Sequence, residues 1–450
     1  MRREIFREYD IRGIAGKDLT QETVAVLGRG IGTWMRRRNC SRITLGRDCR
    51  PSSDPFRDAL ASGLTETGLS VIDIGVMPTP LLYYSIHKLE ADGGIMITGS
   101  HNPPEYNGFK ACIGHDSVFG EQIQQIADII EAGDFAGGNG KISSEDVLTP
   151  YRKYLLEQIR FPRPVRLAMD CGNGTASLVA PDLMAALGCE VECLYCTMDG
   201  TFPNHHPDPT VLENLAALQS AVTSKKLEVG IAFDGDADRI GVIADSGKVV
   251  WGDILLALYA REILKRRPGS TFIAEVKCSM NLFKDIEKHG GRAIMWKTGH
   301  SLIKAKMKEE KAVLAGEMSG HMFFADRYFG YDDAIYAACR LVEILANSSE
   351  SLSEMLSDIP PTFVTPEIRI QCADDKKFGV VERVKSHFRR KYQVIDVDGA
   401  RILFPHGWGL VRASNTQDVL VMRFEADTQA NLDAIRSEVE DQVQKAKSRA

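Results

Sequence analysis

The sequence predicts an α/β chain: three similar mixed α/β domains in tandem, followed by a smaller C-terminal α+β domain. Three observations predict it. A strand–helix–strand pattern recurs three times. Each copy is followed by a short apolar strand that breaks into a loop of small and polar residues. The repetition stops near residue 360, where Pro360, Pro361 and Pro366 mark a linker. The expected boundaries are 1–147, 148–250, 251–360 and 361–450.

The first copy runs from the strand Ile43–Cys49 through an amphipathic helix over Asp54–Thr67 to Gly68 and the strand Leu69–Ile74. The second has a strand over Arg166–Cys171, a helix near Ser177–Leu187, Gly188, and an alternating strand from Cys189 to Tyr195. The third has a strand over Thr271–Cys278, a helix near Asn281–His289, Gly290-Gly291, and a strand over Arg292–Trp296. In each copy glycine stands where a helix ends in a left-handed residue. The three matched loops are Thr98-Gly-Ser-His-Asn102, Asp234-Gly-Asp-Ala-Asp-Arg239 and Glu317-Met-Ser-Gly-His321. Open α/β sheets bind ligands at such carboxyl ends of strands. Residues 367–425 read as short strands around one helix near Lys376–Phe388. Thr428–Ala446 reads as a closing helix, with Leu432, Ile435, Val439 and Val443 at helical spacing. A fourth polar loop is expected over Gly407–Thr416.

The 450 residues carry 55 basic and 61 acidic side chains, net charge −6, with no strongly basic block, which counts against nucleic acid as a partner. No stretch is apolar for the ~20 residues of a membrane helix, and no apolar segment follows Met1–Glu4, so a cytoplasmic chain without a membrane partner is expected. Cysteines such as Cys171, Cys278 and Cys339 sit beside strand-like apolar residues and read as small buried hydrophobes. Cys189, Cys193 and Cys196 lack the second half of a zinc site and read as part of a half-buried strand.

The loops carry the chemistry. Asp234, Asp236 and Asp238 alternate at a strand end, flanked by Phe233 and Ile240, and oxygen-only ligands suit Mg²⁺ or Ca²⁺. An EF-hand fails, because its sixth and twelfth positions are Arg239 and Asp245. Ser100 fits a nucleophile, a phosphoryl carrier or a plain turn; the elbow G-x-S-x-G is absent. Glu317 and Ser319 offer an acceptor and a hydroxyl to a polyol. Arg412 beside Ser414, Asn415 and Thr416 suits a phosphate dianion. No Walker sequence is present, and Gly28-Arg-Gly30-Ile-Gly32 lies in a helical pattern where small residues allow close packing. Arg36-Arg37-Arg38 then reads as that helix's solvated end.

Together the four loops resemble the α-D-phosphohexomutase family, in its bacterial phosphomannomutase/phosphoglucomutase branch. Tyr9-Asp-Ile-Arg-Gly13, Phe202-Pro-Asn-His-His-Pro207 and Trp296-Lys-Thr-Gly-His300 extend the likeness over nearly the whole chain. The resemblance implies an active-site cleft between four domains, with Ser100 as the phosphorylated serine. Mg²⁺ would be held by Asp234, Asp236 and Asp238 with the Ser100 phosphate, and Arg239 would stand beside it. It implies sugar binding by Glu317 and Ser319, and binding of the non-reacting phosphate by Arg412, Ser414, Asn415 and Thr416. Arg12, Lys110 and His300 match positions near the transferring group, the last two as acid/base candidates; Tyr9, Lys277 and His321 match other cleft positions. The implied substrates are hexose phosphates, with glucose 1,6-bisphosphate as activator and intermediate, and a monomer is compatible with the reading. A phosphoglucosamine mutase of the same family and a metal-dependent sugar phosphatase are the alternatives. Departures from the family pattern are Gly99, Ala237 in the acidic loop, and Asp418 in place of a proline.

Overall fold

The computed structural model describes residues 2–415 and 418–448. Its strands form four sheets, one for each expected unit. In the first three sheets one four-strand order recurs. It reads Ser70–Val76, Arg42–Arg47, Gly93–Ile97, Tyr106–Ile113 in the first, and Glu190–Leu194, Arg166–Asp170, Val229–Phe233, Ile240–Ala244 in the second. In the third it reads Arg292–Trp296, Thr271–Glu275, Leu314–Gly316, Met322–Phe324. The first three strands of each set are parallel and the fourth returns antiparallel. Each polar loop is therefore the turn joining the last parallel strand to its antiparallel neighbour.

Gly68, Gly188 and Gly290 follow the matched helices at φ +85°, +94° and +81°. The glycine-rich helix Gln21–Arg36 packs on Ser53–Glu66, and a Cβ on Gly28 would lie 2.5 Å from the Leu60 carbonyl oxygen. Arg36, Arg37 and Arg38 are exposed at its end.

Some elements depart from the sequence reading. The helix expected over Ser177–Leu187 is a 3₁₀ turn, Thr175–Leu178, and a separate α-helix, Ala180–Ala186. Pro181 lacks an N–H and fits only in the first turn of a helix, so the chain restarts there. The strand beginning at Thr271 ends at Glu275, where Cys278 donates its backbone N–H to the Glu275 carbonyl and Lys277 donates its own to the Glu275 carboxylate. Cys339 lies in the helix Ala334–Ala346.

Gly407–Ala413 is a strand rather than a loop, paired antiparallel with both Ala400–Phe404 and Val419–Ala426. Its glycines serve close packing: a Cβ on Gly407 would lie 2.1 Å from the Glu425 carbonyl oxygen. The helices Asp374–Phe388 and Gln429–Lys447 complete this last unit around their own apolar core. The largest apolar cluster, by contrast, runs through the first three units. The fourth joins them through a small cluster of Val276, Trp408 and Leu410 and through charged contacts. Arg401 donates to the Cys278 carbonyl at 2.8 Å, and Arg423 donates to the Lys277 carbonyl at 2.9 Å. No described helix is long and apolar enough to cross a membrane.

Candidate active site

The four loops line one cleft of about 1530 Å³. On the first-unit side Ser100 is buried, with a left-handed backbone at φ +50°. Its hydroxyl donates to Asp234 Oδ2 at 3.1 Å and lies 3.1 Å from His101 Nδ1. Arg50 holds the turn from behind. Its guanidinium donates to the carbonyls of Ser100 (2.8 Å), Asn102 (2.7 Å) and Tyr106 (3.0 Å), and it pairs with buried Asp48 at 3.0 Å.

Asp234, Asp236 and Asp238 are fully buried and each offers an oxygen within 4.8 Å of the others. Their shape comes from a tight turn. Asp234 Oδ1 accepts the backbone N–H of Asp238 and of Arg239, while Ala237 takes φ +58°. That left-handed alanine, where glycine would be relaxed, costs on the order of 1 kcal/mol. Thr79 donates its backbone N–H to the Asp236 carbonyl and its hydroxyl to Asp236 Oδ2, docking the first unit on the acidic turn.

Burial, then the charges of Asp238 and Asp236, pushes the Asp234 carboxyl well above the usual range. Lys110 offsets part of this charge, with Nζ 2.7 Å from Asp236 and 2.5 Å from Asp238. Burial disfavours its ammonium, but the two carboxylates outweigh burial and raise its pKa. Asp236 Oδ1 and Asp238 Oδ1 are buried without a hydrogen-bond partner. An all-oxygen set with orphaned lone pairs, facing a hydroxyl, fits a hard divalent cation.

Arg239 donates from Nε to His321 Nε2 at 2.9 Å. His321 Nδ1 lies 3.1 Å from Asp332 Oδ2. His300 stacks near His321 with ring centroids 5.8 Å apart. Burial, then the Lys304 charge, holds its pKa well below the usual imidazole range, so it is neutral. Glu317 accepts the Gly299 backbone N–H at 2.7 Å and the Ser319 hydroxyl at 3.2 Å.

Arg412, Ser414 and Asn415 face this group across the cleft. Tyr9 joins three units: its hydroxyl donates to the Thr298 carbonyl at 3.0 Å and accepts from Asn415 Nδ2 at 2.8 Å. Burial pushes its pKa up to about 12. Lys277 pairs with Glu367 at 3.4 Å, and Arg12 with Asp10 at 2.5 Å.

Comparison with known proteins decides the family. Residues 3–137, 149–247 and 251–363 match the family models described as phosphoglucomutase/phosphomannomutase alpha/beta/alpha domains I, II and III. Residues 367–442 match the C-terminal domain of the same family. The chain belongs to the α-D-phosphohexomutases. It is 46% identical over 434 residues to the phosphomannomutase/phosphoglucomutase of Pseudomonas aeruginosa, covering 96% of this chain and 94% of that one. It is 44% identical over 440 residues to a phosphoglucomutase of Neisseria gonorrhoeae, covering 97% and 95%. A crystal structure of a phosphoglucomutase/phosphomannomutase family protein from Burkholderia thailandensis superposes with a TM-score of 0.94 at 39% identity, covering 99% and 98%.

The structure brings the site residues singled out in the sequence to the lining of this phosphohexomutase cleft, with Asp234, Asp236 and Asp238 buried directly behind Ser100 and Lys110; Thr416 lies outside the described residues. Arg412 sits in a strand, and the acidic neighbour it bonds is Asp398, at 3.0 Å; Asp418 is exposed. Sequence reasoning missed His101, Arg50, Asp332 and Asp398. His101 follows Ser100 directly and could have been found on that ground. The others are brought in by tertiary contacts alone.

Proposed function

We propose that this chain reversibly moves a phosphoryl group between the 1- and 6-positions of mannose and glucose phosphates, by way of phosphorylated Ser100 and a hexose 1,6-bisphosphate. The observation that carries the reading is the Ser100 hydroxyl, 3.1 Å from Asp234 in a cluster of three buried carboxylates, facing Arg412 and Asn415 across one cleft. Kinship at 46% identity with a protein named for both activities supports the two sugars.

Asp234, Asp236 and Asp238 would hold Mg²⁺ together with the Ser100 phosphate; when bound, the cation supplies charge neutralisation at the transferring phosphoryl group. Arg239, half-buried beside Asp234, adds a fixed positive charge on the same side. The sugar hydroxyl attacks the phosphorus of phosphoserine, and Ser100 Oγ leaves. Neutral His300 suits removal of the hydroxyl proton, and the Lys110 ammonium would give one of its own protons to the departing Ser100 oxygen. Glu317 and Ser319 bind sugar hydroxyls in either orientation. Arg412, Ser414, Asn415 and Thr416 grip the distal phosphate, and glucose 1,6-bisphosphate primes an unphosphorylated enzyme. Because the fourth unit has its own core, it can swing open for the intermediate to turn and close to exclude water.

The test is an assay with glucose 1-phosphate and mannose 1-phosphate, Mg²⁺ and trace glucose 1,6-bisphosphate, following 6-phosphate and inorganic phosphate together. Mutase action gives 6-phosphate without phosphate release. Stoichiometric phosphate release would establish a phosphatase, and turnover of glucosamine phosphate alone would move the substrate.

A further inference from the structure

Cys171 and Cys196 belong to no part of the proposed reaction. The strands Arg166–Asp170 and Glu190–Leu194 pair in parallel, Asp170 opposite Leu194, and both thiols lie just beyond that last pair. There the Cys171 backbone N–H bonds the Leu194 carbonyl at 3.2 Å, and Cys196 Sγ stands 3.3 Å from Cys171 Sγ. This separation is inside ordinary sulfur–sulfur contact and little more than an ångström from the ~2.05 Å of a disulfide. The surroundings differ across the pair. Cys171 is fully buried, Cys196 is partly exposed, and Cys193, three residues earlier and within the strand, is exposed. The hydrogen bond between the two thiols, above all, lowers the Cys196 pKa against the effect of burial. Burial raises the pKa of Cys193 and of Cys171. Cys196, the more accessible sulfur of the pair and the one whose ionisation is eased, is thus placed to meet an oxidant first.

We propose that Cys171 and Cys196 are a redox-sensitive dithiol, a modification site that a hydroperoxide converts to an intramolecular disulfide. The Cys196 thiolate attacks one peroxide oxygen, the O–O bond breaks, and Cys196 sulfenic acid and hydroxide form. The Cys171 sulfur then attacks the Cys196 sulfur. The sulfenic oxygen leaves as hydroxide and takes up the Cys171 proton as water. Two thiols lose two electrons, and hydrogen peroxide is reduced to water. The bond falls on a segment that supports the acidic turn: Asn173 bonds Tyr195 and Thr197, and Thr175 donates its backbone N–H to the Gly235 carbonyl at 3.0 Å.

The full-length protein is treated with a small excess of hydrogen peroxide, alkylated, and digested on both sides of Tyr195, which separates Cys193 from Cys196. The expected product is a Cys171–Cys196 linked peptide that dithiothreitol reverses, lost in Cys196→Ser and kept in Cys193→Ser. A Cys193–Cys196 link, or oxidised Cys196 with Cys171 still alkylated as a free thiol, overturns the proposal. Both results are read on the wild-type chain, so a poorly folding variant does not obscure them.

Discussion

Asp398 holds Arg412 by the Nε edge of its guanidinium, at 3.0 Å, and the same carboxylate oxygen accepts the Thr298 backbone N–H at 3.1 Å. One acid thereby orients the arginine proposed to grip the distal phosphate and ties the fourth unit to the loop that precedes His300. Arg412→Ala should weaken both the 1-phosphate and the 6-phosphate substrate. The lost charge-assisted contact is worth ~1.5–3 kcal/mol, or roughly tenfold to more than a hundredfold in binding. Asp398→Asn keeps an acceptor but removes the charge, so its effect on the Michaelis constants should be smaller. Kinetics in both directions check this. Unchanged constants in Arg412→Ala, with a lower melting temperature, would reduce the arginine to a structural partner of Asp398.

If Ser100 carries the phosphoryl group, intact-mass measurement of purified protein should show a fraction heavier by one phosphate. Glucose 1,6-bisphosphate should increase that fraction, and Ser100→Ala should abolish it. Phosphate mapped to another residue would refute the role.

Asp236→Asn removes one charge from the acidic turn yet retains an oxygen for the Thr79 hydroxyl, 2.5 Å away. The variant should fold and bind Mg²⁺ poorly, with turnover reduced by roughly a hundredfold or more, as for loss of ~3 kcal/mol of transition-state stabilisation. Isothermal titration with Mg²⁺ and turnover after chelation are the checks. Wild-type activity in either condition would remove the metal from the acidic turn.

Stability should also depend on pH through Asp333. Its carboxylate accepts from Tyr151 at 2.8 Å, Tyr328 at 2.6 Å and the Tyr336 backbone N–H at 2.8 Å. Burial nevertheless dominates and pushes its pKa up from 3.8 to about 6. Between these values the folded chain keeps a proton that the unfolded chain has released. Stability from this group is therefore present at low pH and declines as pH rises through about 6. Compared with wild type, Asp333→Asn should gain about 2 kcal/mol between pH 4.5 and 7.5. Urea unfolding of both proteins across that range measures it, and a pH-independent difference would show an unshifted carboxyl.

The repeat was legible because strand and helix periodicities, closed by Gly68, Gly188 and Gly290, are local properties of the chain. The loops were legible as polar breaks at strand ends, while Ser100 and Glu317 taken singly fitted plain turns as well, and only the four loops together carried the resemblance. Gly407 and Gly409 misled for a physical reason: glycine marks a turn or a close backbone approach alike, and only the neighbouring strand tells which. Asp398 shares a hairpin with Arg412, but its meeting with Arg412 and Thr298 depends on the register Ala400–Val411 and on how two units dock. Arg50 gathers carbonyls from a turn some fifty residues away, with no local signature for that task.

Ser100 and Asp234 both precede residue 240, whereas Arg412, Ser414 and Asn415 come near the end of the chain. During synthesis the ribosome therefore releases the reactive corner well before the part that shields it. A chain stopped before residue 400 would carry Ser100 and its acidic trio without the residues that face them across the cleft, so on the proposed reaction water would have open access to the phosphoryl group.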